Sequence, residues 1–233
     1  MFSNRYIIIY SVVMVLIVAA ALTVVAVQLK PAQENNIRVE KMRNILKAAN
    51  IESTTKDAEQ MYKKYINETK VVNIKGETVT GVDAFGVDLK KESEKEINKR
   101  SFPIFICHTD QGDTLYIFPL LGKGLWGPIW GYLALSSDLK TIKGAMFDHK
   151  GETPGLGAEI ETKAFQQEFI GKSIFDSTGK FVSVKVMKGG APKEDANAVD
   201  AISGGTITSR GLQNMLATCL QQYVAFFDQI QKK

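Results

Sequence analysis

The amino-acid sequence predicts an α+β protein, with a single N-terminal transmembrane helix followed by one domain built on a mostly antiparallel sheet with flanking helices. Three observations lead there. Tyr6 to Gln28 is an unbroken run of 23 residues without a charge. From Ser101 onward, apolar runs alternate with short polar turns, as in successive hairpins. The last segment places Leu212, Met215, Leu216, Cys219, Leu220, Tyr223, Phe227 and Ile230 at helical spacing, on one face of a long helix.

At a rise of about 1.5 Å per residue the uncharged run spans roughly 35 Å, enough to cross a hydrocarbon core of about 30 Å. A secretory signal offers a competing pattern, since Arg5 precedes the run and Ala19, Ala20 and Ala21 are small. Apolar cores of such signals are only about 7–15 residues long. A buried core helix would carry a polar stripe, and here the interior offers only Ser11 and Thr23. Residues 1–29 are therefore taken as a retained anchor.

Residues 30–100 form a helical and irregular part. Val39, Met42, Ile45, Leu46 and Ala49 continue a helix out of the anchor. Met61, Tyr62, Tyr65 and Ile66 mark a second helix after the polar break Glu52 to Lys56. Asn67 to Arg100 is polar, with a short apolar run at Val71 to Ile74 and a solvated charge run, KKESEKEINK.

Residues 101–233 make the core of the domain. FPIFICH, the turn TDQGD and TLYIFPL read as a hairpin, and YLALSSDLKTIKGAMFDH as two more strands around Ser-Ser-Asp. Thr162 opens a short helix holding Phe165, Phe169 and Ile170, with Gly171 as its stop. VSVKVMK alternates at Val182, Val184 and Val186 as one further strand.

The composition is ordinary for a globular protein, with 45% hydrophobic and 23% charged residues, which excludes a disordered or collagen-like chain. Arg5 is the only charged residue of the anchor, so the rest carries 28 basic against 25 acidic side chains. That balance leaves no nucleic-acid footprint. Lys30, Arg38, Lys41, Arg43 and Lys47 just after the anchor favour a cytoplasmic domain by the positive-inside count. Two cysteines, Cys107 and Cys219, are read as buried thiols rather than as a disulfide framework.

Three glycine-rich segments are candidates for chemistry. In DAISGGTITSRG, Asp200 to Gly211, the turn Ser203-Gly204-Gly205 lets backbone approach a ligand. Thr206, Thr208 and Ser209 place hydroxyls at a helix start, where free N–H groups favour a phosphate. The same pattern also describes an ordinary turn and N-cap. GETPGLG, Gly151 to Gly157, presents backbone groups with Glu152, Thr153 and Leu156 as its sizeable side chains. It suits a flat heterocycle and equally suits a plain β-to-α connection. In LLGKGLWGPIWGYLAL, Trp126 and Trp130 sit among four glycines, as beside a cofactor ring or in a glycine-relieved bend of a core strand.

Other chemistries find no support. His149 near Glu152 has no clustered ligand spacing for a metal. Cys107 and His108 point to opposite faces of one strand, which spoils a nucleophile pair. No catalytic nucleophile and no metal site are predicted.

Taken together, GKGLWGPIWGYLAL, HKGETPGLG and DAISGGTITS behind an N-terminal span resemble the C-subunit family of sodium-translocating NADH:quinone oxidoreductases, in order and approximate spacing over most of the chain. The related G subunit of the Rnf electron-transport complex shares the GETPGLG-like loop and the flavin-attachment pattern, and GLWG makes the quinone reductase the closer match. The resemblance implies FMN joined by a phosphoester to a threonine. Its pattern falls on Asp200, Ser203, Gly204, Gly205 and Thr206, with Thr206 as the attachment residue and Thr208 as the nearest rival. Gly205 departs from the alanine usual there. It also implies that Glu152, Thr153, Gly155 and Leu156 hold the isoalloxazine ring. A flavin transferase using FAD as donor is implied for maturation. Further implications are the A, B, D, E and F subunits as partners, electron relay from NADH toward ubiquinone coupled to Na+ export, and a periplasmic domain on a bacterial inner membrane, against the positive-inside count. The alternatives are an Rnf-type G subunit and a membrane-anchored module that binds a phosphorylated ligand reversibly or scaffolds a complex.

Overall fold

A computed structural model describes residues 3–231. The chain divides into two units, Met1–Lys41 and Met42–Lys233. Helix α1 (Asn4–Ala48) begins in the first and ends in the second. Its residues from Tyr6 to Leu29 are exposed, and its most apolar window has a mean hydropathy of 2.8. Among the described residues it is the one helix long and apolar enough to cross a membrane. So continuous an apolar surface is unfavourable in water and suited to lipid. The Thr23 hydroxyl donates to the Ala19 carbonyl at 2.8 Å, so it asks no partner of the hydrocarbon. Pro31 lies just beyond this stretch, inside the helix, and cannot donate to the carbonyl of Val27.

The second unit holds the end of α1 and then α2 (Ala58–Tyr65), β1 (Ile66–Val72), α3 (Leu89–Glu94), β2 (Phe102–His108), β3 (Thr114–Lys123), β4 (Pro128–Leu135), β5 (Ile142–His149), α4 (Lys163–Gln167), β6 (Lys185–Met187), β7 (Ala198–Asp200), α5 (Thr206–Gln221) and α6 (Val224–Gln231). Strands β1 to β5 form one antiparallel sheet in chain order. Side chains alternate between its faces. Phe102, Ile104, Ile106, Phe118, Leu120, Ile129, Leu133 and Phe147 pack with Phe165 of α4, Leu212, Met215 and Leu216 of α5 and Phe227 of α6. On the other face Phe105, Cys107, Ile117, Tyr132 and Met146 pack with Ile45 and Leu46 of α1 and Tyr65 of α2. Both faces are covered, which is why β2 to β5 read as continuous apolar runs rather than alternating ones.

Helix α5 lies close on β3 because glycine permits it. A Cβ on Gly211 would stand 2.3 Å from the Lys123 carbonyl oxygen, and one on Gly122 would stand 2.6 Å from Cβ of Met215.

The α+β architecture and the antiparallel hairpins are as the sequence predicts. Several elements differ. Ile66 does not end α2 but opens β1, an edge strand paired with β2 through residues as polar as Glu68 and Lys70. VSVKVMK contributes only Lys185–Met187, which pairs in parallel with β7 in a separate two-stranded sheet; Ser183 before it has φ of 61°. Thr162 does cap α4, accepting the Phe165 N–H at 3.4 Å. The helix ends at Gln167, however, so Phe169 and Ile170 sit in the following turn before Gly171 at φ +83°. The single C-terminal helix is two helices, broken where the buried Tyr223 donates its hydroxyl to the Pro103 carbonyl at 2.9 Å. KKESEKEINK is solvated, as expected, on and after the short helix α3 capped by Asp88. Both cysteines are free.

Candidate functional site

Segment LLGKGLWGPIWGYLAL is not a bend in one strand but the β3–β4 hairpin. The Gly124 N–H donates to the Gly127 carbonyl at 2.8 Å and closes a turn whose tip is Leu125 and Trp126. The Trp126 side chain is 70% exposed, although its ring is among the most costly to leave in water. Trp130, further along β4, is half-buried.

Strand β5 delivers the second segment. It ends at His149, and the Glu152 N–H donates to Nδ1 of that ring at 3.1 Å. The Glu152 side chain turns inward and is only 4% exposed. Its Oε1 accepts the backbone N–H of Trp126 at 2.9 Å and its Oε2 accepts the Thr208 hydroxyl at 2.5 Å. A buried carboxylate is expensive unless its oxygens are bonded, and here each has a donor. Flanking glycines make the room: a Cβ on Gly124 would stand 2.5 Å from Oε1, and one on Gly157 2.5 Å from Oε2. Next, the Thr153 carbonyl accepts the N–H groups of Leu156 and Ala158, and the Gly155 N–H reaches Oε1 of Glu159 at 3.1 Å with φ at +72°. This turn leaves Thr153, Gly155 and Leu156 exposed.

The third segment follows β7. The Asp200 N–H donates to Oε2 of Glu168 at 3.0 Å, and Oδ1 of Asp200 accepts the Ala191 N–H at 2.6 Å. Burial pushes the Glu168 carboxyl above its ordinary pKa, with the Asp200 charge adding to the shift. Gly204 then takes φ +74°, where a Cβ would stand 2.5 Å from Cδ2 of Leu156, so the second and third segments touch. Gly205 is the N-cap of α5 and brings no side-chain cap. The first amides of α5 therefore lack the side-chain acceptor that a Ser, Thr or Asp would supply.

Positions two apart on a helix point roughly 200° away from each other. Thr206 and Ile207 are exposed, Ile207 at 58%, while Thr208 is 2% exposed and tied to Glu152. Ser203 is exposed on the turn before the helix, and Ser209 is buried, its hydroxyl accepting the Ile202 N–H at 3.2 Å. The structure thus joins all three glycine-rich segments through one carboxylate and leaves Thr206 exposed; Leu125, Trp126, Leu156 and Ile207 on these segments are exposed as well.

This arrangement fits FMN. The uncapped start of α5 favours a phosphate by its N–H groups and dipole, and exposed apolar side chains on the three segments suit one edge of an isoalloxazine ring. Two residues of the site were missing from the sequence-predicted set. Trp126 was noticeable as an aromatic among glycines, but only the hairpin ties it to Glu152. In the sequence His149 stands out only as a metal ligand to be weighed and as the first residue of HKGETPGLG; its bond to the Glu152 amide comes from the structure.

Comparison with known proteins supports an FMN-binding domain. Residues 124–221, from the β3–β4 turn to the end of α5, match the family model of the FMN-binding domain. The chain is 31% identical over 215 residues to the C subunit of the Na(+)-translocating NADH-quinone reductase of Vibrio vulnificus, covering 85% of this chain and 84% of the relative. It is likewise 31% identical to the same protein of Pseudomonas aeruginosa, covering 82% and 81%. Among solved structures it superposes on the C subunit of the Na(+)-translocating NADH-quinone reductase of Parabacteroides distasonis with a TM-score of 0.78 and 44% identity, over 85% of this chain and 96% of that one. Shewanella oneidensis NqrC gives a TM-score of 0.74 at 28% identity, over 84% and 98%.

Proposed function

The chain belongs to the C-subunit family of the Na(+)-translocating NADH-quinone reductases, and from that membership we propose that it holds its FMN covalently, through a phosphoester to Thr206, and relays electrons inside the complex. It is a flavoprotein subunit of that membrane-anchored enzyme, with other subunits as its partners. The observation that carries the covalent reading is the opposed placement of the two candidate threonines. Thr206 is exposed at the uncapped start of α5, whereas the hydroxyl of Thr208 is already spent on the buried Glu152.

FMN supplies reversible electron uptake once bound. The chain's own part is to hold and orient. The first turn of α5 receives the phosphate. Ser203, Gly204 and Gly205 keep the approach to Thr206 open, and a Cβ on Gly205 would come within 3.0 Å of Cγ2 of Ile202. Glu152 fixes the hairpin, the GETPGLG loop and α5 as one body, so that Thr153, Gly155 and Leu156 keep their place relative to the start of α5. In maturation the Thr206 oxygen takes the FMN phosphoryl group from FAD, with AMP as the leaving group and the hydroxyl proton released; a dedicated transferase recognises the Asp200 segment. The relay joins NADH oxidation elsewhere in the complex to ubiquinone reduction, coupled to Na+ export, with the A, B, D, E and F subunits as neighbours.

Intact mass and in-gel flavin fluorescence of the chain, produced with a flavin transferase, test the attachment. A fluorescent wild type, a dark Thr206→Ala and a fluorescent Thr208→Ala are expected. A dark wild type rejects covalent FMN, and loss in Thr208→Ala alone moves the linkage. We further propose that the domain faces the periplasm from the bacterial inner membrane, which the family resemblance supports and the basic residues after the span oppose. A C-terminal reporter active only in the cytoplasm would reverse that orientation.

A further inference from the structure

His149 closes β5 and meets the functional loop through one ring nitrogen. Its Nδ1 accepts the backbone N–H of Glu152 at 3.1 Å. A backbone amide always donates, so Nδ1 must carry no proton in this arrangement, and in the neutral ring the proton resides on Nε2. That nitrogen is buried and has no hydrogen-bond partner among the described residues. It faces Oε2 of Glu161 at 3.6 Å, beyond bonding distance. The amide of His149 itself is tied to Oδ1 of Asp148 at 2.7 Å, which steadies the strand end that carries the ring.

The residue held by Nδ1 is the one that joins the site. Glu152 binds Trp126 of the hairpin with one oxygen and Thr208 of α5 with the other. Moving its backbone moves both contacts, because the carboxylate is wedged between Gly124 and Gly157. We propose that His149 is a positioning residue: with Nδ1 free of a proton, it fixes the Glu152 backbone and through it sets the GETPGLG loop, Trp126 and the start of α5 relative to one another at the flavin site. The inference rests on the FMN reading above for its consequence, and on the hydrogen bonds of the chain for its geometry.

The test uses the full chain in detergent. The protein has two histidines, so His108→Gln leaves the ring of His149 as the one histidine signal. Nitrogen-15 correlation spectra at neutral pH are expected to show the Nε2–H tautomer, and an Nδ1–H tautomer overturns the proposal. His149→Asn keeps an acceptor oxygen at the place of Nδ1, while His149→Leu removes it. The Glu152 amide is expected to exchange with solvent about tenfold faster in His149→Leu, the net worth of one hydrogen bond as an equilibrium ratio, and near the wild-type rate in His149→Asn. In the FMN-loaded chain the visible spectrum and reduction potential are expected to shift in His149→Leu and to return in His149→Asn. Equal disturbance by both variants, or none by His149→Leu, overturns the proposal. If His149→Leu does not fold, the tautomer and the His149→Asn exchange rate still decide. A wild type that binds no FMN defeats the functional reading, while tautomer and amide exchange still judge the role of His149.

Discussion

Thr206 and Thr208, two residues apart on one helix, are predicted to fail in opposite ways when each is changed to valine. Valine keeps the size and the β-branching of threonine, so helix propensity and packing change little and the lost group is the hydroxyl. At Thr208 that hydroxyl bonds a carboxylate buried beneath the loop, and its loss leaves Oε2 of Glu152 without a donor. Hydrogen bonds to charged groups are worth about 1.5–3 kcal/mol, and in a unit of this size each kcal/mol moves the melting point by about 2–4 °C. Thr208→Val should therefore lower the melting temperature by about 3–12 °C while the chain still accepts FMN. Thr206 is exposed, so Thr206→Val should change stability by less than about 0.5 kcal/mol and yet leave the chain without covalent flavin. Thermal melts of the apo chain in detergent, beside flavin fluorescence in denaturing gels, read both quantities. A Thr208→Val melt equal to the wild type would refute the assignment of that hydroxyl to the buried carboxylate. Equal losses of stability in both variants would refute the inward and outward division of the helix start.

Gly204→Ala places a Cβ at φ +74° and 2.5 Å from Cδ2 of Leu156; it should cost about 1–2 kcal/mol for the left-handed backbone and, by pushing Leu156 off the turn, slow flavin attachment measured against time. Burial pushes the Cys107 thiol up to about 11, so only about 0.1% of it is thiolate near pH 8, and alkylation mapped by peptide mass should reach it only on unfolding. The Tyr65 hydroxyl first, and the Lys64 ammonium next, hold the Asp110 carboxyl below its ordinary pKa. This depressed value contributes stability above the unfolded-state pKa of about 3.9 and loses it as the pH falls through the folded value. Tyr65→Phe should move the Asp110 titration up in a carboxyl carbon NMR experiment, and an unmoved titration would discard that contact.

Much of the molecule was legible because its signals are local. A charge-free run of sufficient length marks the N-terminal apolar helix whatever surrounds it, and Thr162 and the polar turns between apolar runs act within a few residues of themselves. β1 escaped notice for a related reason. An edge strand has one paired side, and the sequence of this one, Ile66 to Val72, is polar over most of its length. Its identity as a strand comes from backbone bonding to β2, which no side-chain pattern reports. The break between α5 and α6 was equally silent. It contains neither glycine nor proline, and coincides with an anchor between Tyr223 and Pro103, 120 residues apart.

The site divides along the same line. Sequence alone singled out three segments, because glycines, hydroxyls and a helix start are chemistry carried by neighbouring residues. It also ranked Thr206 first through family resemblance, and left Thr208 as a rival because both stand in the same turn. Tertiary structure decided how the two threonines differ. Thr208 meets Glu152 across 56 residues, and Trp126 meets it across 26. Contacts of that separation exist only after β3, β4, β5 and α5 have closed on one another. A hydroxyl facing a buried carboxylate and a hydroxyl facing solvent are spelled with the same residue, and only packing tells them apart.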